Sequence, residues 1–361
     1  MHLAILGTRG IPARYGGFET FAEELSLRLV RRGHTVSVYC RQHHPEPAYH
    51  GVHLRFLPTV RHKYLDTIAH TFLSTFHLLW RRADVALYCN AANAVFTLAP
   101  RLAGIPVALN VDGLERKRRK WNLLGRSWYR LSEWLSTFFP SVVISDARSI
   151  QDYYLGRYRK RSCFIPYGAD TERAPTTAVL SQLGLEPGRY FLYVSRMEPE
   201  NNALMVREAF ERVDTSMKLA LIGDAPYAQD YIRAVRDTAD PRIVIPGAIY
   251  GQGYRELTSH CFAYIHATEV GGTHPALIEA MGRRALTLYL ATDENTEVAG
   301  GAAIPFEHDL AEKVRQLLDM SEAEREEWRD RAQQRVRERY SWDAVTDAYE
   351  KLLASLMEGG N

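Results

Sequence analysis

Short apolar runs and helix-period segments alternate along the first half of the chain, and after a break the alternation begins again. Leu3–Leu6, Thr35–Tyr39, Ala83–Tyr88, Val107–Asn110 and Val142–Ser145 read as buried strands, each a brief apolar run bounded by polar or helical sequence. Between the first two, Phe18–Arg32 puts Phe21, Leu25 and Leu29 on one helical face. Glu23, Glu24, Arg28, Arg31 and Arg32 cover much of the rest, and Gly33 ends the helix. Strands separated by helices pair in parallel through crossovers, so this half predicts a doubly wound sheet.

The second alternation has strands at Tyr190–Ser195, Lys218–Ile222, Arg242–Ile245, Ala263–His266 and Ala285–Tyr289. Helices are expected near Asn202–Arg212, Tyr227–Thr238, Gln252–Ser259 and Pro275–Gly282. The layout predicts an α/β protein with a domain at 1–170, a linker at 171–187 and a domain at 188–340. The linker stretch holds Pro175, three threonines and Pro187 without sustained periodicity. A charged helix over Ser321–Tyr340 is followed by a terminal helix at 341–361, opened by Ser341-Trp342-Asp343. Two Rossmann-like, doubly wound parallel sheets would face one another across a cleft, with ligands at the carboxyl ends of their strands.

With 46% hydrophobic and 24% charged residues in 361, the composition excludes disordered, collagen-like and disulfide-stapled classes. Cys40, Cys89, Cys163 and Cys261 are far apart and lack metal-ligand spacing, so buried free thiols in a reducing compartment are expected. The start, Met1-His2-Leu3-Ala4-Ile5-Leu6-Gly7, reads as a strand rather than a secretory signal. The apolar stretch Ile68 to Trp80, broken by His70, Thr71, Ser74, Thr75 and His77, is too short to span a bilayer. A cytoplasmic protein is expected. The small net charge of +2 hides an asymmetry: residues 1–175 hold 25 Lys and Arg against 13 Asp and Glu, and the remainder 20 against 30. A basic half suggests an anionic partner.

Three blocks carry chemistry. Gly7-Thr8-Arg9-Gly10-Ile11-Pro12 and Tyr15-Gly16-Gly17-Phe18-Glu19-Thr20 follow the first strand and open the first helix, where the amides of Gly16 and Gly17 can approach a phosphate. The spacing is not G-x-G-x-x-G, which counts against a nicotinamide or flavin site. In Ser195-Arg196-Met197-Glu198-Pro199-Glu200-Asn201-Asn202, Arg196 offers a forked, permanently charged donor to a diphosphate, or else pairs with Glu198 or Glu200 on the surface. Thr268-Glu269-Val270-Gly271-Gly272-Thr273-His274-Pro275 runs from a strand end into a helix. The amides of Gly271, Gly272 and Thr273 form an anion nest there, and Glu279, about one turn in, can accept from ribose hydroxyls. No Asp-x-Asp occurs, so the carboxylate pair that holds a divalent ion is missing and metal-independent chemistry is expected.

These blocks resemble the retaining nucleotide-sugar glycosyltransferases of the GT-B fold, sequence family 4. With Asn110-Val111-Asp112-Gly113-Leu114-Glu115 and Ile165-Pro166-Tyr167-Gly168-Ala169-Asp170, they resemble more narrowly the bacterial rhamnosyltransferases of polysaccharide assembly. The likeness covers nearly the whole chain. It departs from the broad family twice. Counting back from Glu279 across seven residues lands on Gly271 instead of a second glutamate, while Glu269 has nine residues between it and Glu279. The lysine usually found five positions after the arginine is Asn201.

The resemblance implies transfer of a sugar, with L-rhamnose from dTDP-L-rhamnose the first choice, to a lipid-linked glycan in bacterial cell-surface polysaccharide biosynthesis. Attack on the same face would leave the proton with the donor phosphate. The leaving diphosphate would be met by Arg196 and by the amides of Gly16, Gly17 and Gly271 to Thr273. Arg196, Asp112 and Glu269 are the candidate catalytic residues. Asp112 either contacts the sugar or acceptor or is an Asx-turn residue before Gly113. Asn201, Gly271, Gly272, Thr273, His274 and Glu279 would hold the donor, and Ile249 and Tyr250 would line the base pocket. His274 either touches the donor or caps its loop. The terminal helix would pack back on the first domain.

Arg116, Lys117, Arg118, Arg119, Lys120 and Trp121, followed by Trp128, Tyr129, Trp134, Phe138 and Phe139, suit a surface resting on anionic lipid beside a lipid-diphosphate acceptor. The alternative is a solvated basic turn with the aromatics in the core. No nucleic-acid-binding signature accompanies the run. Two other functions are weighed: a sugar-nucleotide epimerase or hydrolase on the same fold, and a non-catalytic protein binding anionic surfaces.

Overall fold

The computed structural model describes every residue except Arg14, Tyr15, Arg61, Lys63, Tyr64, Arg119, Lys120, Tyr227, Gly360 and Asn361. The chain forms two units, one from Met1–Tyr167 with Trp342–Asn361 and the other from Gly168–Ser341. The first unit's strands are β1 (His2–Leu6), β2 (Thr35–Cys40), β3 (Ala48–Tyr49), β4 (Val52–Phe56), β5 (Val85–Cys89), β6 (Val107–Asn110), β7 (Val142–Ser145) and β8 (Cys163–Phe164). They lie in the order β3-β4-β2-β1-β5-β6-β7-β8, all parallel except the pair β3 and β4. Its helices are α1 (Gly17–Arg31), α2 (Asp66–Arg81), α3 (Leu98–Leu102), α4 (Leu123–Leu135) and α5 (Arg148–Tyr158).

Central strands buried on both faces need continuous apolar sequence, and β1 and β5 supply it: Leu3 to Leu6 and Val85 to Cys89 are almost entirely inaccessible. Helix α1 buries Phe21, Leu25 and Leu29 as its periodicity predicts. It also meets the terminal helix of the chain, Trp342–Glu358, through Phe21 against Tyr349 (5.1 Å between ring centroids). Asn110 Nδ2 donates to Tyr349 Oη at 2.9 Å, so that helix is fastened to the end of β6 as well.

The second unit repeats the plan with β9 (Tyr190–Val194), β10 (Lys218–Ile222), β11 (Ile243–Gly247), β12 (Ala263–His266), β13 (Leu286–Leu290) and β14 (Ile304–Phe306), ordered β11-β10-β9-β12-β13-β14 and wholly parallel. Its helices are α6 (Ala178–Gln182), α7 (Ala203–Glu211), α8 (Gln229–Arg236), α9 (Gly251–His260), α10 (Pro275–Gly282), α11 (Asp293–Ala299), α12 (Leu310–Asp319) and α13 (Glu322–Arg339); the terminal helix is α14. Ser321 and Glu324 close α13 with a capping box. Strand β11 runs past its expected end at Ile245, through Pro246 to Gly247; it is an edge strand, where proline costs no ladder bond.

The expected linker is corrected. Residues 171–187 belong to the second unit: Thr176 Oγ1 and Val179 N–H donate to Glu256 at 2.5 and 2.7 Å, and Ala174 N–H donates to Ser259 Oγ at 2.9 Å. Leu180 and Leu185 enter the core beside Tyr190 and Leu192. All four cysteines are free, with Cys163 and Cys261 only partly buried. Among the described residues no helix is long and apolar enough to cross a membrane.

Candidate active site

In the second unit, β10, β9 and β12 are neighbours, and the loops leaving them are stitched together. Ser195 N–H donates to Ile222 O at 3.1 Å and Met197 N–H to Asp224 O at 3.4 Å. On the other side Glu269 N–H donates to Glu200 O at 3.0 Å, and Asn202 Nδ2 donates to Ala267 O and Glu269 Oε1 at 2.9 and 3.0 Å. So close an approach requires glycine at 223, where φ is +156° and a Cβ would fall 1.9 Å from Ser195 O. The result is one ledge at the carboxyl edge of a parallel sheet, where such folds bind ligands.

Arg196 stands on this ledge with 27% of its side chain exposed and Nη1 3.9 Å from Glu198 Oε2. Asn201, expected to contact the donor, is buried and donates its Nδ2 to Arg196 O at 2.6 Å. It positions the arginine's backbone, because an amide short enough to fold back replaces the longer lysine. Glu269 is half-buried and anchored by Asn202.

The glycine loop folds over His274. A Cβ on Gly271 would lie 2.1 Å from His274 Nε2, so only glycine lets the loop close on the ring. Asn295 Nδ2 donates to Thr268 O and Leu290 O, at 3.0 and 2.9 Å, which leaves its Oδ1 to accept from His274 Nδ1 at 2.6 Å. With Nδ1 held on Asn295 Oδ1, His274 turns its other ring nitrogen, Nε2, toward Gly271. The His266 ring lies tilted against it with 4.9 Å between ring centroids, and burial together with His274 holds His266 well below its ordinary pKa, hence neutral. Gly271, Gly272, Thr273 and His274 are all buried, and α10 starts with Pro275 in its first turn.

Glu279 is held rather than solvated. Arg283, one turn on, comes within 3.9 Å of its Oε2 and lies over the Tyr254 ring at 5.5 Å. Burial, then the Glu279 carboxylate, push the Tyr254 hydroxyl pKa up. Ile249 is partly buried against the core, and Tyr250, at the start of α9, is exposed.

In the first unit, Gly16 is the extended N-cap residue of α1 and no side chain caps that turn. Glu19 Oε1 accepts from Arg9 N–H at 2.9 Å and Glu23 Oε2 from Ala13 N–H at 2.6 Å, strapping the loop 9–13 to the helix that Gly17 begins. Tyr15 lies outside the described residues. Asp112 has φ +56°, and the Asx turn is made by Asn110, whose Oδ1 accepts from Asp112 N–H at 3.0 Å. The turn role proposed for Asp112 thus belongs to Asn110.

The basic run is corrected in part. Arg116 Nε lies 3.1 Å from Oε1 of buried Glu133, and Tyr153 and Tyr158 hydroxyls donate to Glu133 Oε2 at 3.0 and 3.2 Å. Arg118 is buried against Glu115 at 2.5 Å. These two arginines satisfy carboxylates inside the fold, leaving Lys117 exposed and Trp121 packed on Tyr129. Arg119 and Lys120 lie outside the described residues. Among the described residues no three His, Cys, Asp or Glu side chains gather as a metal site would need.

Sequence reasoning missed Asn295, His266, Tyr254 and Arg283. The Glu279 to Arg283 spacing was readable as an i, i+4 pair; the others owe their places to strand adjacency and carried no local signal.

Residues 15–173 match the family model described as Glycosyltransferase Family 4, and residues 188–320 match that described as Glycosyl transferases group 1. Among solved structures the chain is similar to a sucrose-phosphate synthase from Thermosynechococcus elongatus, with a TM-score of 0.80 at 15% identity over 99% of both chains. It is also similar to HepE from Anabaena in complex with UDP, with a TM-score of 0.77 at 15% identity over 98% of this chain and 100% of that one. A third is WaaG, a glycosyltransferase involved in lipopolysaccharide biosynthesis, with a TM-score of 0.74 at 15% identity over 98% and 99%. No curated protein matches the chain in sequence.

Proposed function

Because the chain is a glycosyltransferase of the GT-B fold, with a family 4 domain in its first half and a group 1 domain in its second, we propose that its second unit holds a nucleotide-sugar donor. The donor we favour is dTDP-L-rhamnose. The observation that carries the donor reading is the ledge itself: the loop of Arg196 after β9 is hydrogen-bonded to the start of the loop after β12, which runs through Gly271–His274 into the helix of Glu279. HepE, similar in fold, was solved with UDP and with UDP-glucose, which supports a nucleotide sugar as the ligand class. The choice of rhamnose rests on the motifs quoted from the sequence.

In this reading Arg196 meets the diphosphate, and its charge gains value as the glycosidic bond to the leaving group breaks. Nε2 of His274 accepts from a sugar hydroxyl, Asn295 having fixed its tautomer. Glu279 accepts from the ribose, oriented by Arg283 and Tyr254. The sugar is transferred with retention: the acceptor oxygen attacks from the face the diphosphate leaves, and the donor phosphate oxygen takes the acceptor's proton. No metal takes part. The acceptor is a glycan on a lipid diphosphate, and the enzyme works at the inner face of the cytoplasmic membrane, against anionic lipid.

Turnover of a panel of dTDP, UDP and GDP sugars tests the proposal. With the preferred donor, Arg196→Ala is expected to lower kcat by about 100- to 1,000-fold. Chelator should leave the rate unchanged. Wild-type turnover of none of the sugars, or an Arg196→Ala variant as fast as wild type, would overturn it.

A further inference from the structure

Two helices of the first unit are built inside out. A helix covering a sheet normally buries its apolar face and leaves polar residues to water. Helix α2 largely does the reverse: His70, Thr71, Ser74 and Thr75 are buried beside a single leucine, Leu78, while Phe72, Phe76 and Trp80 are 57%, 69% and 72% exposed. Two of the three buried hydroxyls are bonded. Ser74 Oγ donates to His70 O at 2.7 Å, and Thr75 Oγ1 bonds both Thr71 O and Tyr88 Oη at 2.8 Å. Helix α4 follows suit, burying Ser132 and Glu133 and leaving Leu124, Leu131 and Trp134 exposed, with Phe138 exposed just beyond its end.

The two stripes belong to one region. Helix α2 joins β4 to β5 and α4 joins β6 to β7, crossovers in the same direction along the sheet, which right-handedness puts on the same face. Both pack against the short helix Ala91–Thr97, where Phe96 meets Phe72 with 6.4 Å between ring centroids. Every exposed charge on α2 and α4 is an arginine: Arg81, Arg126 and Arg130. Arg82 adjoins them, and the Arg81 guanidinium sits 4.6 Å from the Trp80 ring centroid.

We infer that this face docks on an anionic lipid bilayer, with the Phe and Trp stripes in the headgroup boundary and the arginines on lipid phosphates. An exposed apolar patch bordered by one sign of charge, with tryptophan at its rim, suits that boundary. A second copy of the chain is disfavoured as the occupant, since pairing like faces would bring arginine borders together. The inference deepens the membrane-surface reading above and rests on it for the occupant. It also moves the contact from the basic run, where Arg116 and Arg118 are engaged internally, to α2 and α4.

The test is co-sedimentation of the full chain with vesicles of phosphatidylcholine alone or with about one third phosphatidylglycerol, beside nucleotide affinity and oligomeric state in solution. Wild type should bind the anionic vesicles. The double variant Phe76→Glu, Trp80→Glu should lose at least about tenfold in partitioning, as should Trp134→Glu, with melting temperature and nucleotide affinity unchanged. Arg126→Ala with Arg130→Ala should weaken anionic-vesicle binding by about fivefold per charge and leave neutral vesicles unaffected. A wild type that stays in the supernatant, or aromatic variants that bind like wild type, would overturn the inference. So would dimerisation abolished by Trp134→Glu, which would assign the face to self-association. Vesicle binding without nucleotide affinity would sink the donor reading and leave this one standing.

Discussion

The two units share a parallel, doubly wound plan and treat their surfaces in opposite ways. Among the described residues, fourteen of the fifteen large apolar side chains that are exposed lie in the first unit; Tyr250 alone lies in the second. The first unit carries 25 Lys and Arg against 15 Asp and Glu, the second 20 against 28. The second unit gathers polar groups on the ledge at the carboxyl edge of its sheet and leaves few large apolar side chains in water. The first hides polar groups under α2 and α4 and turns aromatics outward. One architecture thus carries two kinds of surface, divided by which face of each helix is polar.

If the first unit's buried polar groups are structural, disturbing them should cost more than anything done to its surface. Glu133→Ala leaves Arg116 and the Tyr153 and Tyr158 hydroxyls facing a hole where a carboxylate stood. Removing one partner of a buried pair costs about 3–5 kcal/mol. Chemical denaturation followed by hydrogen exchange should show that loss in the first unit, with the second unchanged. A loss below about 1 kcal/mol, the value of a surface pair, would mean that Glu133 is solvated in solution.

The second contrast is one of pH. Burial, reinforced by the Arg41 guanidinium, pushes His70 down from 6.5 to about 4. As pH falls below 6.5 the unfolded chain takes up a proton that folded His70 refuses. Stability is therefore complete above 6.5 and declines toward pH 4, by up to about 3 kcal/mol. His266, lowered in the same direction, adds a similar slope in the second unit. His70→Gln should flatten the acid loss measured on first-unit amides and leave second-unit amides as they were. An unchanged slope would show that His70 is not the titrating group.

What the sequence revealed and concealed follows from the same physics. Both sheets, α1 and α10 were legible because their apolar positions do face inward. Residues 171–187 read as a linker because α6, at five residues, is too short to show a period. Helix α2 was missed for a more instructive reason. Polar residues within Ile68–Trp80 looked like interruptions of an apolar stretch, when they are its buried face. Arg116 and Arg118 looked like surface because runs of charge are usually solvated, and Glu133 stands 17 residues beyond Arg116. At the ledge, Arg196, Gly271 and Glu279 were visible as a motif. Asn295, which sets the His274 tautomer from 21 residues away, was not.

The smallest effect is the most discriminating. In water, Phe76 touches little and is 69% exposed, so Phe76→Ser should change stability by no more than about 0.5 kcal/mol. Removing a comparable apolar group from the second unit's core, as in Leu221→Ala, should cost about 2–5 kcal/mol. Were Phe76→Ser to cost as much, the aromatic stripe would be packed in solution, against this chain or a copy of it, and the inside-out helix would be an ordinary one. If instead the substitution is silent in thermal melts of the free protein, the stripe contributes nothing to folding. Water alone then supplies no physical reason to place three large aromatic rings there.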